Sequence, residues 1–270
     1  MKIGLIGAGR AGRALTLAWK KSGCQVAGIC GGSQAAGFAS RIDGQLYQQP
    51  EALAACSEVL ILAVPDRGLP ELAEQLAEAT LPPKLVVLHL CGSQSAAVLH
   101  PLQQKGIACG SLHPLQSFTE DTEAGSEHAR NIFFAADGDS RALQKIHFLA
   151  EKLQGQVLEI PPEQRALYHA AACMAANYMV AVMHSAVQML ATCQIPEEKA
   201  LQALSPLVQA AFSNCCQQGT AAALSGPVRR GDAETLCRHR AALSAGAPEE
   251  KRLYEQLTAY TEKWTAQMKR

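Results

Sequence analysis

The chain has 270 residues, 48% of them hydrophobic and 18% charged, and its 24 Lys plus Arg offset 24 Asp plus Glu to a formal net charge of zero. That balance excludes a charged disordered chain and argues against nucleic-acid binding, which shows as a basic excess. Aromatic residues, at 5%, are too few for base-stacking platforms.

Lys2–Ile6 is an apolar run that reads as a buried strand, and glycines follow it. No signal-peptide pattern precedes it, so the chain is expected to be cytoplasmic. Ala11–Ser22 reads as a helix, Gln25–Cys30 as a strand, Glu51–Cys56 as a short helix and Glu58–Val64 as a strong buried strand. Leu69–Ala79 (helix), Lys84–Leu90 (strand), Ser93–Lys105 (helix) and Ile107–Leu112 (strand) continue the alternation. Asn131–Ala136, Ser140–Leu153 and Gln156–Ile160 close it as strand, helix and strand. Such alternation predicts a doubly wound, mainly parallel α/β sheet with helices on both faces.

The pattern changes at Pro161-Pro162, after which only helical signals occur. Glu163–Thr192 reads as one long helix, then come Glu197–Leu204, Pro206–Gln217, Asp232–Ala245 and Pro248–Lys269. Two domains are therefore expected, residues 1–160 and 161–270. The apolar stretch Tyr168–Leu190 is long enough to cross a bilayer, but His169, Asn177, His184 and Gln188 would be costly in lipid. The expectation is a helix buried in a globular domain, with no membrane contact. Ten cysteines without a C-x-x-C signal neither a zinc site nor a dithiol motif. Most lie in apolar runs and read as reduced, buried thiols.

Gly7-Ala8-Gly9-Arg10-Ala11-Gly12 is a G-x-G-x-x-G between a predicted strand and a predicted helix, the context that marks a dinucleotide site. Gly7 permits the tight turn, Gly9 the approach of a pyrophosphate and Gly12 close helix–strand packing. The anion would rest on the helix N-terminus. The second strand ends Cys30-Gly31-Gly32-Ser33, without the carboxylate that binds an NAD ribose. Ser33, with Arg41 or Arg10, could meet a 2′-phosphate, which favours NADP over NAD; Ser33 reads equally well as a helix N-cap.

Three further strand ends carry polar groups at the same edge: Val64-Pro65-Asp66, His89-Leu90-Cys91-Gly92-Ser93 and His113-Pro114-Leu115-Gln116-Ser117-Phe118. They form a candidate site floor, although any one of these histidines alone is more often a structural hydrogen-bonder. At about 100° per residue, Cys173, Asn177, His184 and Gln188 fall within about 100° of His169. His169 could pass a proton at neutral pH and Asn177 could hold a carbonyl or hydroxyl; a satisfied interhelical network or a dimer seam would account for the stripe as well. In Gly226-Pro227-Val228-Arg229-Arg230-Gly231-Asp232, Asp232 is a helix N-cap and Arg230 could grip a carboxylate or phosphate; a capped loop with solvated arginines is the alternative.

Together, Gly7–Gly12, Val64-Pro65-Asp66, His89 with Gly92, His113–Phe118, Tyr168-His169-Ala170-Ala171 with Asn177, and Gly226-Pro227 with Arg230-Gly231-Asp232 span nearly the whole chain. In this order they resemble the 6-phosphogluconate dehydrogenase-like superfamily, which includes ketopantoate reductase, pyrroline-5-carboxylate reductase, prephenate dehydrogenase and hydroxyisobutyrate dehydrogenase. The chain is most similar to the branch of Rossmann-like plus DUF2520 proteins, labelled NADP oxidoreductases of the coenzyme F420-dependent type. The resemblance implies an N-terminal Rossmann domain, an all-helical C-terminal domain that makes a homodimer, and an active site in the cleft between domains. His169 occupies the place of a Lys in the better-known relatives, with Cys173 and Asn177 one and two turns on. Cys91 stands where the branch has Ser, and Gly31-Gly32-Ser33 where relatives have Ser-Arg-Ser.

The sequence thus predicts an NAD(P)-dependent oxidoreductase, NADPH-linked, moving hydride to or from a small carbonyl, imine or hydroxy substrate. Expected cofactor contacts are Gly7, Ala8, Gly9, Arg10, Ala11, Gly12, Ser33, Val64, Pro65, Asp66, Cys91 and Gly92. His169 is the expected acid/base and Asn177 the substrate-oxygen binder. His113 and Ser117 form the lower wall, and Arg230 binds substrate charge. NAD and F420 are the alternative cofactors, and no metal is expected. The rival reading is a dinucleotide-binding sensor or dimeric assembly protein without turnover.

Overall fold

The computed structural model describes residues 1–268. Eight strands form one sheet: β1 (Lys2–Ile6), β2 (Gln25–Cys30), β3 (Gln45–Tyr47), β4 (Val59–Leu62), β5 (Val86–His89), β6 (Ala108–Pro114), β7 (Phe133–Gly138) and β8 (Gln156–Glu159). The helices between them are α1 (Arg10–Lys21), α2 (Ala35–Arg41), α3 (Pro50–Ala55), α4 (Leu69–Glu78), α5 (His100–Gln103), α6 (Thr122–His128) and α7 (Ser140–Lys152). The strand order is β3-β2-β1-β4-β5-β6-β7-β8. β1 to β6 are parallel, β7 runs antiparallel to β6, and β8 is parallel to β7. This is the Rossmann order with an appended pair, and chain direction across the sheet reverses between β1 and β4, where such sheets bind ligands.

The central strands are apolar throughout because both faces are covered. Val59 and Ile61 of β4 join the core beneath α1, α2 and α7, while Leu60 and Leu62 join the core beneath α3, α4 and α5. Val86 and Leu88 of β5 likewise face the first layer and Val87 the second. Trp19 of α1 is fully buried in the first layer, and its indole N–H donates to the Leu149 carbonyl of α7 at 3.0 Å.

Three elements escape the sequence pattern. β3 is a three-residue edge strand, too short to show alternation. α2 and α6 are seven residues each and carry a glycine inside. Gly125 of α6 is where that helix meets α1, since a Cβ there would lie 3.0 Å from the Ala14 Cβ. The helix expected over Ser93–Lys105 is instead a 3₁₀ turn, Ala96–Leu99, leading into the single turn of α5. Pro101 removes a backbone donor at that point.

The long helix expected over Glu163–Thr192 is two helices, α8 (Arg165–Ala175) and α9 (Asn177–Thr192), interrupted at Ala176 (φ −113°, ψ −66°). The chain divides into two compact units at this break, Met1–Ala175 and Ala176 onward. The strands end at Glu159, but the sheet unit takes in α8 beyond residue 161, because Arg165 is 1% exposed and bonded to Cys91 just beyond β5 and to Ser111 within β6.

The second unit comprises α9, α10 (Glu197–Ala223), α11 (Pro227–Arg230), α12 (Ala233–Gly246) and α13 (Pro248–Gln267). α9 packs on α10, α12 and α13. Asp232 caps α12 as expected, accepting the Thr235 backbone N–H at 3.0 Å. The expectation of a buried α8–α9 segment is corrected: Pro162–Thr192 is apolar and long enough to span a membrane, yet little of it is buried within the chain. Leu207 and Phe212 of α10 are likewise 65% and 71% exposed. The cysteine expectation also needs correction. Cys24, Cys30, Cys91 and Cys109 are buried, whereas Cys56, Cys193, Cys216 and Cys237 are exposed.

Replacing Trp19 with Phe leaves a buried carbonyl without its donor, so the Trp19→Phe variant should lose about 1–3 kcal/mol of stability. Urea unfolding should show a lower midpoint with an unchanged m-value.

Candidate active site

The glycine motif lies at the reversal of strand order. Gly7 follows β1 with φ +91°, and a Cβ there would lie 2.5 Å from the Ala63 carbonyl oxygen. A Cβ on Gly12 would lie 2.6 Å from the Ala63 Cβ, so only glycine lets α1 sit this close to the end of β4. Gly9 heads α1 without a side-chain cap, and the first turn carries no acid. Gly9 and Arg10 are exposed, while Ala8 and Ala11 pack into the core. The N-terminus of this 12-residue helix therefore offers backbone N–H groups and the positive end of its dipole to an anion.

Beside it a cleft of about 500 Å³ opens beyond β1, β2 and β3, lined by Gly31, Gly32, Ser33, Ala36, Tyr47 and Gln49 among others. No Asp, Glu, Lys or Arg lines it among the described residues. Ser33 is exposed there and is not a helix cap, since Gln34 heads α2. The expected charges lie elsewhere. Arg41 pairs with Glu123 at 2.6 Å, and Arg10 and Arg13 pair with Glu120 at 3.6 and 3.0 Å. Arg10 and Arg41 are thus turned toward acids, although exposed pairs of this kind are weak.

The next strand ends are tied together. Pro65 terminates the run after β4, and the Asp66 carboxylate accepts from the Ser93 hydroxyl at 3.3 Å. His89, at the end of β5, is fully buried and has a structural role. Its Nδ1 accepts the Cys91 N–H at 3.2 Å, so Nε2 carries the proton toward the Ser95 carbonyl at 3.1 Å. Burial lowers its pKa to about 4. The Cys91 thiol is raised by burial and lies 3.4 Å from the Ser93 hydroxyl.

Gly92 marks the meeting place of β5, β6 and α8. A Cβ on Gly92 would collide with His169 Nδ1 and would lie 2.8 Å from His113 Nε2. The two imidazoles stand edge to face with centroids 5.4 Å apart. The other nitrogen of His113, Nδ1, is 2.8 Å from the Tyr168 hydroxyl. The other nitrogen of His169, Nε2, is 3.6 Å from Cys173 Sγ. His169 Nδ1 itself is buried without a hydrogen-bond partner among the described residues. Burial first, then His169 and Arg165, lower His113 to about 4, so it is neutral at pH 7.

Beneath them lies Arg165. One terminal nitrogen of its guanidinium donates to the Ser111 hydroxyl at 2.6 Å and to the Cys91 carbonyl at 3.1 Å. Its Nε is 3.4 Å from the Asp137 carboxylate, and its Cζ is 5.4 Å from the Tyr168 ring centroid. Asp137 also accepts the Ala96 N–H at 2.6 Å; burial raises its pKa against the pull of that bond and of Arg165.

Of the expected residues, the structure brings together Gly92, His113 and His169. Ser117 is exposed on the loop after β6, with its N–H given to Gln116 Oε1 at 2.8 Å. Asn177 opens α9 and Arg230 ends α11, both exposed in the second unit. The expected stripe falls on two helices, His169 and Cys173 on α8 and Asn177, His184 and Gln188 on α9. Tyr168 and Arg165 were not expected in the site. Helical rotation sets Tyr168 off the stripe, and Arg165 heads α8 immediately after a Pro-Pro segment that reads as a linker.

The sequence matches the description of a Rossmann-like domain over residues 1–114 and that of a domain of unknown function, DUF2520, over 132–261. No curated protein matches it. Among solved structures, BF3122 from Bacteroides fragilis has a TM-score of 0.79 at 20% identity, covering 97% of this chain and 98% of that one. The 1-pyrroline-5-carboxylate reductase of Streptococcus pyogenes has a TM-score of 0.66 at 16% identity, covering 97% and 98%. A reductive aminase from Aspergillus terreus, in complex with NADPH and ethyl-5-oxohexanoate, has a TM-score of 0.71 at 16% identity, covering 97% and 93%. At these identities the likeness is one of fold: a Rossmann-like sheet followed by helices.

His89 makes stability depend on pH. The unfolded histidine takes a proton near 6.5 and the folded one only near 4, so between these values the unfolded chain binds more protons. The stabilisation is complete above pH 6.5 and is lost as pH falls toward 4, by about 3 kcal/mol. Urea midpoints measured from pH 7 to 4 should fall steadily, and a His89→Gln variant should show a shallower fall.

Proposed function

We propose that the chain is a nicotinamide-dinucleotide-dependent oxidoreductase, NADP-linked, acting on a small carbonyl, imine or hydroxy substrate. The observation that carries this reading is the convergence of His113 Nε2 and His169 Nδ1 over Gly92, at the same carboxyl edge of the sheet as the Gly7–Gly12 cradle. Binding dinucleotide at one strand end and proton-transfer groups at another is the arrangement such an enzyme needs.

The residues present fit the cofactor. Gly7 and Gly12 let the turn and α1 close against Ala63, Gly9 leaves the head of the helix bare, and the uncapped start of α1 suits a pyrophosphate. The neutral cleft with Ser33 suits a ribose, and it lacks the carboxylate that would repel a 2′-phosphate. Pro65, Asp66, Cys91 and Gly92 continue the same edge. A bound nicotinamide supplies hydride chemistry. The chain supplies the imidazoles: His169 presents a buried, unpartnered Nδ1, and neutral His113 stands opposite it. The fold shared with a reductive aminase bound to NADPH and with a pyrroline-5-carboxylate reductase supports this reading.

The proposal extends to a homodimer formed through the helices. Val180, Leu207 and Phe212 expose apolar surface that a second copy would cover. Lipid is a poorer partner for this surface, because the chain between residues 162 and 192 carries Arg165, His169, Asn177, His184 and Gln188 and a break at Ala176. Sedimentation velocity should give twice the chain mass, and the double variant Leu207→Glu, Phe212→Glu should sediment as a monomer.

The first test is titration of the protein with NADPH and with NADH, read by nicotinamide fluorescence. Tighter binding of NADPH is expected. Preference for NADH would overturn the NADP assignment, and binding of neither would overturn the proposal. A His169→Ala variant should keep its NADPH affinity and lose turnover by about 10²-fold or more.

A further inference from the structure

We infer that Tyr168 fixes His113 as an N–H donor over Gly92, so that the atom taken up there is a hydrogen-bond acceptor, the oxygen or nitrogen of a polarised C=O or C=N group. The inference rests on the oxidoreductase reading only for the reaction that follows; the tautomer of His113 stands on the geometry alone.

The Tyr168 hydroxyl and His113 Nδ1 are 2.8 Å apart. A phenol can donate or accept, and a neutral imidazole has one nitrogen of each kind. The phenolic O–H is the more acidic donor and imidazole the better acceptor, so the proton lies on Tyr168 and points at Nδ1. The hydrogen bond at one ring nitrogen sets the state of the other, which places the remaining proton of His113 on Nε2. That nitrogen is turned toward Gly92, 2.8 Å from where a Cβ would be. Burial, His169 and Arg165 keep the ring neutral, while Asp66 acts weakly the other way, so the Nδ1/Nε2 choice is a real one at neutral pH.

Burial reinforces the choice. It raises the pKa of the Tyr168 phenol against the weaker pull of the Arg165 cation, 5.4 Å from the ring centroid, and so keeps the proton on the phenol oxygen. The same guanidinium grips the Cys91 carbonyl and the Ser111 hydroxyl, so it also holds the strand end that carries Gly92. Tyr168 and Arg165 are therefore positioning residues that act through His113. Across the gap, His169 Nδ1 is likewise turned toward Gly92, and Cys173 Sγ engages its Nε2.

In a reduction, for which a dinucleotide held at the Gly7–Gly12 cradle would supply hydride to the ligand's carbon, the Nε2 proton of His113 passes to the ligand's oxygen or nitrogen. His113 Nδ1 then takes the Tyr168 hydroxyl proton, which keeps the imidazole neutral. When water reprotonates Nε2, Nδ1 returns its proton to the Tyr168 phenolate, and the starting arrangement is restored.

Long-range ¹H–¹⁵N correlation spectra of the histidine-labelled protein at pH 7, without cofactor, test this directly. His113 is assigned from a His113→Gln spectrum. The expected result is an unprotonated Nδ1 and a protonated Nε2. In Tyr168→Phe this preference should weaken, with Nδ1–H signal appearing. An Nδ1–H tautomer in the unmodified protein overturns the inference, and so does an unchanged tautomer in a folded Tyr168→Phe. Should that variant not fold, the unmodified spectrum still decides. With cofactor, Tyr168→Phe should lower kcat by about 10²-fold with KM and NADPH affinity little changed. If neither NADPH nor NADH binds the unmodified protein, the oxidoreductase reading fails while the tautomer result stands separately.

Discussion

A buried guanidinium organises the carboxyl edge of this sheet. Arg165 is 1% exposed, and a charge in such a place is tolerated only with an anion and hydrogen-bond partners around it. Asp137 on β7 supplies the anion, Ser111 on β6 supplies a hydroxyl, and Cys91 beyond β5 supplies a carbonyl. The middle of β6, the ends of β5 and β7 and the first turn of α8 are thereby tied to one point. The bonding is incomplete, since Nε and one terminal nitrogen of Arg165 have no hydrogen-bond partner among the described residues. The pair therefore specifies an arrangement more than it adds stability, because an apolar replacement of the same volume would pack there at less electrostatic cost.

The consequences fall differently on the two buried histidines. His89 and His113 are both held near a pKa of 4, but His89 spends its two nitrogens on Cys91 and Ser95. His113 spends one on Tyr168 and leaves the other facing Gly92. Neutrality makes the first a fixed brace and the second a directed donor. The same desolvation thus yields a structural residue or a chemical one, according to where the second nitrogen points.

The alternation of strands and helices was legible because buried parallel strands are written as apolar runs such as Val59–Leu62. β3, α2 and α6 were not, being short and, in the two helices, interrupted by glycine. The interruption at Ala176 was invisible because Ala175, Ala176 and Asn177 include neither glycine nor proline. For the site, the glycine motif and the histidines at strand ends could be read from local context. Arg165 could not, because nothing near Pro161-Pro162 shows that the next charged residue turns into the sheet. Tyr168 could not, because a rotation about a helix axis says nothing of what the strands place against it.

The two margins of the sheet have a different consequence, for how copies of the chain can meet. β3 and β8 expose unpaired backbone, yet they are only three and four residues long. β3 carries Gln45, and β8 carries Gln156 and Glu159, the latter against His147. Margins this short make poor templates for strand addition. Chains meeting sheet edge to sheet edge would gain few ladder bonds and would desolvate a carboxylate. Ordered self-association by strand exchange or fibre growth is thus disfavoured at both ends of the sheet.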